Sequence, residues 1–172
     1  SHPSAPFLRA AGTDLAPDCG RKTGMPPAGQ NMDRGRVTMF HQNLTMLTDF
    51  YEFTMANGYH CMGKGDTVAY FDMFFRKVPD GGGYAIMAGV EQLAEYLSNL
   101  QFTDRDIEYL RSRGCFSEGF LSYLKDFHFA CDVWAVPEGT PIFPGEPIVV
   151  VRGPMVQAQF IETMVLLTIN HQ

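Results

Sequence analysis

The pattern of apolar and polar residues first becomes regular at residues 47–59, LTDFYEFTMANGY, where apolar side chains recur with the spacing of an amphipathic helix. Asp49 followed three residues later by Glu52 resembles a capping box, so we expect the helix to begin there. Gly58, or the pair of glycines that follows it, predicts the end of the helix. The residues on the predicted apolar face are Leu47, Phe50, Tyr51, Thr54 and Gly58.

Residues 67–79, TVAYFDMFFRKVP, alternate with a period of two and are rich in aromatic and β-branched residues, which predicts a strand closed by Pro79. One face of this strand is apolar: Ala69, Phe71, Met73 and Phe75. The other face is mixed: Tyr70, Asp72, Phe74 and Arg76. We expect the apolar face to pack in the core and the mixed face to line a cleft.

The remaining pattern predicts an α/β fold. Its elements, in order, are a glycine-rich turn at 80–89, helices at 90–100, from 103 onward and at 117–127, a strand at 129–136, two short extended segments folded on each other within 137–154, and a buried helix at 155–170. The last helix is apolar nearly all round and has no C-terminal stop signal. We therefore expect the chain to be a fragment whose missing elements cover that surface.

Residues 1–38 differ in composition from the rest, with five prolines, five glycines and a single aromatic residue. Such a segment buries too little apolar surface to offset the entropy of ordering it, so it predicts a flexible leader or tag, and the fold is expected to begin near Met39. An ordered extension that contacts a neighbouring subunit is the alternative.

Charge and cysteine content exclude several classes of protein. The formal net charge of −6, without any cluster of Lys and Arg, argues against nucleic acid as a partner. The four cysteines, Cys19, Cys61, Cys115 and Cys131, form no CxxC pair and have no histidine at zinc-finger spacing. They indicate free thiols in a reducing cytoplasm, and no apolar run reaches the roughly 18 to 20 residues of a membrane span.

Arg76 is the candidate for anion binding, because its guanidinium shares a strand face with Asp72 and Tyr70 and can bind a phosphate or carboxylate with two hydrogen bonds. An ordinary Arg–Asp surface pair is the alternative. The glycines of DGGG lack the dinucleotide and P-loop patterns, so they predict a tight turn. Tyr51, taken alone, is assigned to core packing. The residues by themselves thus predict an α/β domain with one candidate anion site.

Four stretches of the chain resemble, in order and spacing, the N-terminal third of bacterial nicotinate phosphoribosyltransferases: LTDFYEFTMANGY, FFRKVPDGGGYAIMAG, EGTPIFPGEPIVVVRGP and ETMVLLTINHQ. This resemblance implies an enzyme of NAD salvage that joins nicotinate to phosphoribosyl pyrophosphate, giving nicotinate mononucleotide and pyrophosphate with ATP hydrolysis. It implies an N-terminal α/β domain at residues 39–154, leading through a first helix at 155–172 into an irregular β/α barrel of the type II phosphoribosyltransferase kind.

The resemblance also implies roles for single residues. Tyr51 corresponds to the tyrosine that stacks on the pyridine ring of a substrate held by the neighbouring subunit, which implies a homodimer with shared active sites. Arg76 resembles the arginine that contacts phosphate, and Asp49 is expected to order the same loop and helix start. Gly82 and Gly83 are expected to allow the close turn beside it.

The chemistry is expected to lie outside this chain. The phosphate loops, the histidine phosphorylated by ATP, and the use of Mg²⁺ belong to the barrel of the family, so the resemblance implies that this segment holds no catalytic residue and is inactive alone. His171 is not given the phosphorylation role. Two alternatives stay open: a phosphoribosyltransferase that uses nicotinamide or quinolinate, and a non-enzymatic, truncated oligomerisation module.

Overall fold

A computed structural model describes residues 8–10, 43–78 and 81–171, the first of these ranges by its backbone only. The helices are α1 Phe50–Cys61, α2 Val90–Ser98, α3 Asp104–Ser112, α4 Glu118–Lys125, α5 Met155–Phe160 and α6 Glu162–Asn170. The strands are β1 Leu8–Ala10, β2 Val68–Met73, β3 Ala85–Ile86, β4 Asp132–Ala135, β5 Pro141–Ile142 and β6 Val149–Pro154. The mixture of helices and strands confirms the predicted α/β class, and the antiparallel pairing of the main sheet agrees with the α+β character expected of the N-terminal domain. None of the helices in these ranges is both long and apolar enough to cross a membrane.

The main sheet has the strand order β1-β4-β6-β2, and each neighbouring pair is antiparallel. Strand β6 lies inside it, with Val151 opposite Phe71 of β2 on one side and Val133 of β4 on the other. At Gly153 a Cβ atom would come within 2.9 Å of the Cα of Cys131. Glycine therefore permits β6 to pass close to the residue that precedes β4.

The prediction for residues 137–154 is partly wrong. The predicted turns are present, since Gly139 and Gly145 have φ angles of 78° and 79°. However, β5 pairs with β3, and β6 pairs with β2 and β4, so the two extended segments do not fold on each other. An alternating pattern predicts the faces of a strand but not the strand with which it pairs. The turn at Gly145 likewise has a distant partner, because its N–H donates to the carbonyl of Phe75 at 2.8 Å.

Strand β1 corrects the prediction of a flexible leader at three residues. Leu8 lies opposite Ala135, and Ala10 lies opposite Val133. Without β1, the backbone N–H and C=O groups of β4 on this side would form a free sheet edge, which any extended segment of the chain can pair with. The other residues of the predicted leader lie outside the described part of the chain.

Local sequence signals set the helix ends. Thr103 and Asp106 form a capping box at the start of α3, and the Ser117 hydroxyl accepts the Phe120 N–H at the start of α4. Helix α1 ends in a Schellman motif: Gly63 has a φ of 66°, and the N–H groups of residues 63 and 64 donate to the carbonyls of residues 60 and 59. The predictions of α2, α3, α4 and the end of α1 are thereby confirmed.

The core is centred on the ring of Phe160, at the end of α5. Its centroid lies 5.1 to 6.3 Å from those of Phe53, Phe102, Phe120 and Phe127, which come from α1, α4 and the segments around α3 and α4. Edge-to-face and stacked aromatic pairs at such separations stabilise a core beyond their area burial. This cluster holds α1 against α5.

The predicted helix at 155–170 is two helices separated at Ile161. Helix α5 is almost entirely buried as expected, but Leu166 and Leu167 of α6 are exposed. Just after the break, the N–H of Thr163 donates to a side chain of α1. The break therefore lies where α1 and α6 meet.

Candidate functional site

Asp49 occupies the N-cap position of α1, with φ −66° and ψ 140°, which confirms the predicted start of the helix. The predicted capping box is wrong, because the Asp49 side chain accepts no capping hydrogen bond. Instead the backbone N–H of Asp49 donates to Thr163 Oγ1 at 3.2 Å. Glu52 would have closed the box, but its carboxylate points to α6.

Glu52 has an exposed fraction of 0%, which is unusual for a carboxylate. Its Oε1 accepts hydrogen bonds from the N–H of Thr163 at 3.2 Å and from Thr163 Oγ1 at 2.7 Å, and its Oε2 accepts one from the Thr48 hydroxyl. Burial raises the pKa of Glu52, and the hydrogen bonds from Thr48 and Thr163 oppose that shift. Glu52 also caps the start of α6 in part, because its carboxylate accepts the N–H of Thr163, which lies in the first turn of that helix.

Tyr51 lies beside this network but on the outside of α1, with 46% of the residue exposed. Its hydroxyl donates to Glu162 Oε1 at 3.3 Å, and Glu162 Oε2 accepts a bond from Gln159 Nε2 at 2.9 Å. Desolvation and the nearby Glu162 raise the pKa of Tyr51. The assignment of Tyr51 to core packing is therefore wrong.

Four of the five residues on the predicted apolar face of α1 are exposed, and the fifth, Gly58, is partly buried. Leu47 and Phe50 are about as exposed as Tyr51, whereas the buried residues of α1 are Glu52, Phe53 and Ala56. The helical period was read correctly but the face was not, because a fully buried glutamate looks polar in the sequence. The start of α1 and the segment just before it therefore carry exposed apolar side chains, which we call the exposed apolar strip of α1: Leu47, Phe50, Tyr51 and Met55.

Arg76 is exposed and lies three residues beyond the end of β2. The predicted strand at 67–79 is too long, since β2 ends at Met73, but within β2 the predicted faces are confirmed, with Tyr70 and Asp72 exposed and Met73 buried. Among the described residues, no hydrogen bond or ion pair joins Arg76 to Asp72, to Tyr51 or to Asp49. The structure thus brings Asp49 and Tyr51 together on one helix turn and leaves Arg76 apart from them.

Sequence reasoning missed Arg152, on β6. Its Nε donates to the hydroxyl of Tyr70 at 2.8 Å and its guanidinium pairs with Asp132 at 3.1 Å. These two partners, Tyr70 first, raise the pKa of Arg152. The alternation of VVVRGP shows that Arg152 and the buried Val151 face opposite sides, but only the pairing of β2 with β6 places it opposite Tyr70.

A cleft of about 230 Å³ lies between the β2–β6 pair and helices α5 and α6. Its walls are mostly apolar, including Phe71, Val151 and Val165, and it also has the carboxyl-bearing residues Asp72 and Glu162. Glu162 is also the partner of the Tyr51 hydroxyl. Tyr51 is therefore linked, through one side chain, to the wall of this cleft.

Residues 46–170 match the family described as the nicotinate phosphoribosyltransferase (NAPRTase) N-terminal domain. The chain belongs to the nicotinate phosphoribosyltransferase family. It is 45% identical over 127 residues to a nicotinate phosphoribosyltransferase of Mycobacterium tuberculosis, covering 74% of this chain and 27% of that protein. For the Bacillus subtilis nicotinate phosphoribosyltransferase the identity is 40% over 130 residues, with 76% and 26% covered.

The fold also resembles the crystal structure of human nicotinic acid phosphoribosyltransferase, with a TM-score of 0.66 and 34% identity over 71% of this chain and 25% of that one. The predicted family and the predicted N-terminal position within it are thereby confirmed. The chain spans about a quarter of the length of the curated relatives it matches.

The buried Glu52 predicts a pH-dependent stability. Its folded-state pKa is raised above 4.5, so the folded protein holds this proton more tightly than the unfolded chain does, and stability falls as the pH rises from there through the folded pKa. Glu52→Gln does not titrate. We expect the difference in free energy of unfolding, Glu52→Gln minus parent, to increase between about pH 4 and pH 7, because only the parent loses stability as the pH rises; urea unfolding measures it.

Glu108→Gln, the same substitution at an exposed position of α3, is the matched control. A difference between Glu52→Gln and the parent that stays constant over this range, or that moves the other way, would contradict the assignment of a raised pKa to Glu52.

Proposed function

We propose that this chain is the N-terminal domain of a nicotinate phosphoribosyltransferase, which joins nicotinate and phosphoribosyl pyrophosphate to give nicotinate mononucleotide and pyrophosphate. The observation that carries the proposal is the half-exposed ring of Tyr51, held by Glu162 within the region that matches the family. The relatives named above are all nicotinate phosphoribosyltransferases, which favours nicotinate over nicotinamide or quinolinate.

Tyr51 is proposed to bind the pyridine ring by stacking. A flat heteroaromatic ring fits an aromatic face, and such pairs gain roughly 0.5 to 1.5 kcal/mol beyond area burial. The hydroxyl of Tyr51 is engaged by Glu162, so the ring face is the part of the side chain left for a ligand. Asp49, one residue before the first turn of α1, orders the helix start through its backbone bond to Thr163.

The enzyme is proposed to be a homodimer in which Tyr51 serves the active site of the partner. Support comes from the exposed apolar strip of α1, which contains Tyr51 itself. Contiguous exposed apolar side chains are typical of contact surfaces. A second subunit seated on the strip would cover Leu47, Phe50 and Met55 and bring its bound pyridine to the ring.

The reaction needs a leaving pyrophosphate to be held while the nicotinate nitrogen is aligned behind the reacting carbon, whose transition state resembles an oxocarbenium ion. In this proposal the residues of this chain bind and orient the substrates, and none of them is assigned a catalytic role. Mg²⁺ and ATP are proposed requirements of the complete enzyme. Within the described ranges, His, Cys, Asp and Glu side chains form no group of three that could hold a metal ion, so neither requirement is assigned to a residue here.

Arg76 is proposed to bind a phosphate group of phosphoribosyl pyrophosphate, because it is exposed and does not form the alternative ion pair with Asp72. Hydrogen bonds to charged groups contribute about 1.5 to 3 kcal/mol, so we expect Arg76→Ala to raise the KM for phosphoribosyl pyrophosphate about tenfold or more. Arg76→Lys keeps the charge but loses the planar fork, so its effect should be intermediate. Initial rates of the complete enzyme with each substrate varied in turn measure both.

Arg105→Ala removes an exposed arginine from α3 and is the matched control for Arg76. An unchanged KM for phosphoribosyl pyrophosphate in Arg76→Ala would remove this residue from the proposed site. The same result would leave the proposal for Tyr51 standing.

The proposed function is tested by formation of nicotinate mononucleotide from nicotinate, phosphoribosyl pyrophosphate, Mg²⁺ and ATP. The complete polypeptide that contains this chain should turn over nicotinate in preference to nicotinamide and quinolinate, and the 172-residue chain alone should give no product. No turnover of any of the three pyridines would favour the non-enzymatic oligomerisation module. A cytoplasmic location is part of the proposal and rests on the cysteine argument.

A further inference from the structure

Glu52 is a buried ionisable residue that the proposed function does not use. It lies next to Tyr51 in the sequence, roughly 100° further round the helix, and its side chain is fully buried whereas that of Tyr51 is about half exposed. A buried carboxylate is costly unless its oxygens are hydrogen-bonded, and Glu52 has a donor on each oxygen. The residues that donate these hydrogen bonds indicate what Glu52 holds in place.

Those neighbours belong to the start of α6. Thr163 makes three hydrogen bonds to the start of α1. Its N–H and hydroxyl donate to Glu52, and its hydroxyl oxygen accepts the backbone N–H of the N-cap residue Asp49. The preceding residue, Glu162, accepts the bond from Tyr51. Adjacent residues of α1 are thus bound by adjacent residues of α6, from the buried side and from the exposed side.

We propose that Glu52 is a positioning residue for nicotinate binding: by bonding Thr163 it fixes the first turn of α1 on α6 and so sets the place of the Tyr51 ring. This inference rests on the proposed function. Glu52 touches no substrate and acts through Tyr51. Loss of its carboxylate frees the first turn of α1 to move relative to Glu162, and the ring then meets the pyridine in a less favourable geometry.

Glu52→Ala in the complete enzyme should raise the KM for nicotinate about fivefold to tenfold, with kcat and the KM for phosphoribosyl pyrophosphate changed less than about twofold. Glu52→Gln retains an oxygen that accepts from Thr163, so it should restore nicotinate KM to near the parent value. Glu108→Ala, on α3, is the exposed control. A general loss of folded protein would instead lower the apparent kcat and leave both KM values unchanged.

A double-mutant cycle distinguishes action through Tyr51 from a separate effect. In a Tyr51→Ala background the ring is already gone, so adding Glu52→Ala should change nicotinate KM by less than about twofold. Full additivity of the two substitutions would overturn the proposal. An unchanged nicotinate KM in folded Glu52→Ala, or no restoration by glutamine, would overturn it as well.

Thr163→Val decides the question if Glu52→Ala does not fold. It removes the hydroxyl that contacts Glu52 and Asp49 while keeping the shape of the side chain and its backbone N–H. It should raise nicotinate KM in the same direction by about twofold to fivefold, and an unchanged KM would overturn the proposal.

Amide hydrogen exchange keeps this proposal separate from the proposed function. The N–H of Thr163 donates to Glu52, so it should exchange faster in Glu52→Ala than in the parent whether or not the enzyme turns over nicotinate. An inactive parent with this exchange change means that the proposed function fails while the α1–α6 link is real. An unchanged exchange rate means that the link itself is wrong.

Discussion

Tyr51→Ala is expected to lower kcat/KM for nicotinate by about tenfold or more in the complete enzyme, because the proposed stacking of its ring on the pyridine and the burial of that ring would both be lost. The ring is half exposed in this domain, so its removal should have little effect on folding. Steady-state kinetics with nicotinate varied at saturating phosphoribosyl pyrophosphate measures the change.

Tyr51→Phe separates the ring from its hydroxyl. It loses only the 3.3 Å bond to Glu162 and should stay within about threefold of the parent. Tyr109→Ala removes a tyrosine of α3 with nearly the same exposed fraction, 47%, and is the matched control. Unchanged nicotinate kinetics in Tyr51→Ala would mean that Tyr51 is a surface residue without a role in binding.

Phe160→Ala is expected to have the largest effect on stability, a loss of about 3 to 5 kcal/mol in the free energy of unfolding. The residue is 3% exposed, and its ring contacts four other phenylalanine rings. Truncation leaves a cavity between α1, α4 and α5 that these rings fill only in part. Urea unfolding followed by circular dichroism measures the loss.

Phe74→Ala makes the same chemical change at a side chain that is 49% exposed, and should cost less than about 1 kcal/mol. If the two substitutions destabilise the protein equally, Phe160 is not the centre of the core. Hydrogen exchange of the buried amides of α4 is a second measure, because Phe120 of this helix packs on Phe160 and these amides should exchange faster when the Phe160 ring is removed.

The parts of the fold that the sequence predicted correctly depend on contacts a few residues apart. The capping box of Thr103 and Asp106, the cap at Ser117 and the turn at Gly63 each involve groups within about one helical turn, so short motifs identify them. The faces of β2 were predicted for the same reason, because alternation along one strand is a local property.

The parts that failed depend on partners distant in the sequence. Nothing in residues 137–154 shows that β5 pairs with β3, and nothing near Arg152 shows that Tyr70 lies opposite it. Glu52 was assigned to a capping box because it lies three residues after Asp49, whereas its carboxylate in fact accepts hydrogen bonds from Thr163. As candidate site residues, Tyr51 and Asp49 were proposed from the resemblance to a family, and Arg76 from its place on the predicted strand together with that resemblance.

The bond between Glu52 and Thr163 joins residues 111 positions apart, and this separation orders events during synthesis. As the chain leaves the ribosome, the first helix emerges long before the residues that bind its acidic side chain. Until then the carboxylate is hydrated and the first turn of α1 has no partner to settle against. The ring of Tyr51 can therefore take the position described above only after residues 162 and 163 have been synthesised, because its hydroxyl and the neighbouring carboxylate of Glu52 bond to these two residues.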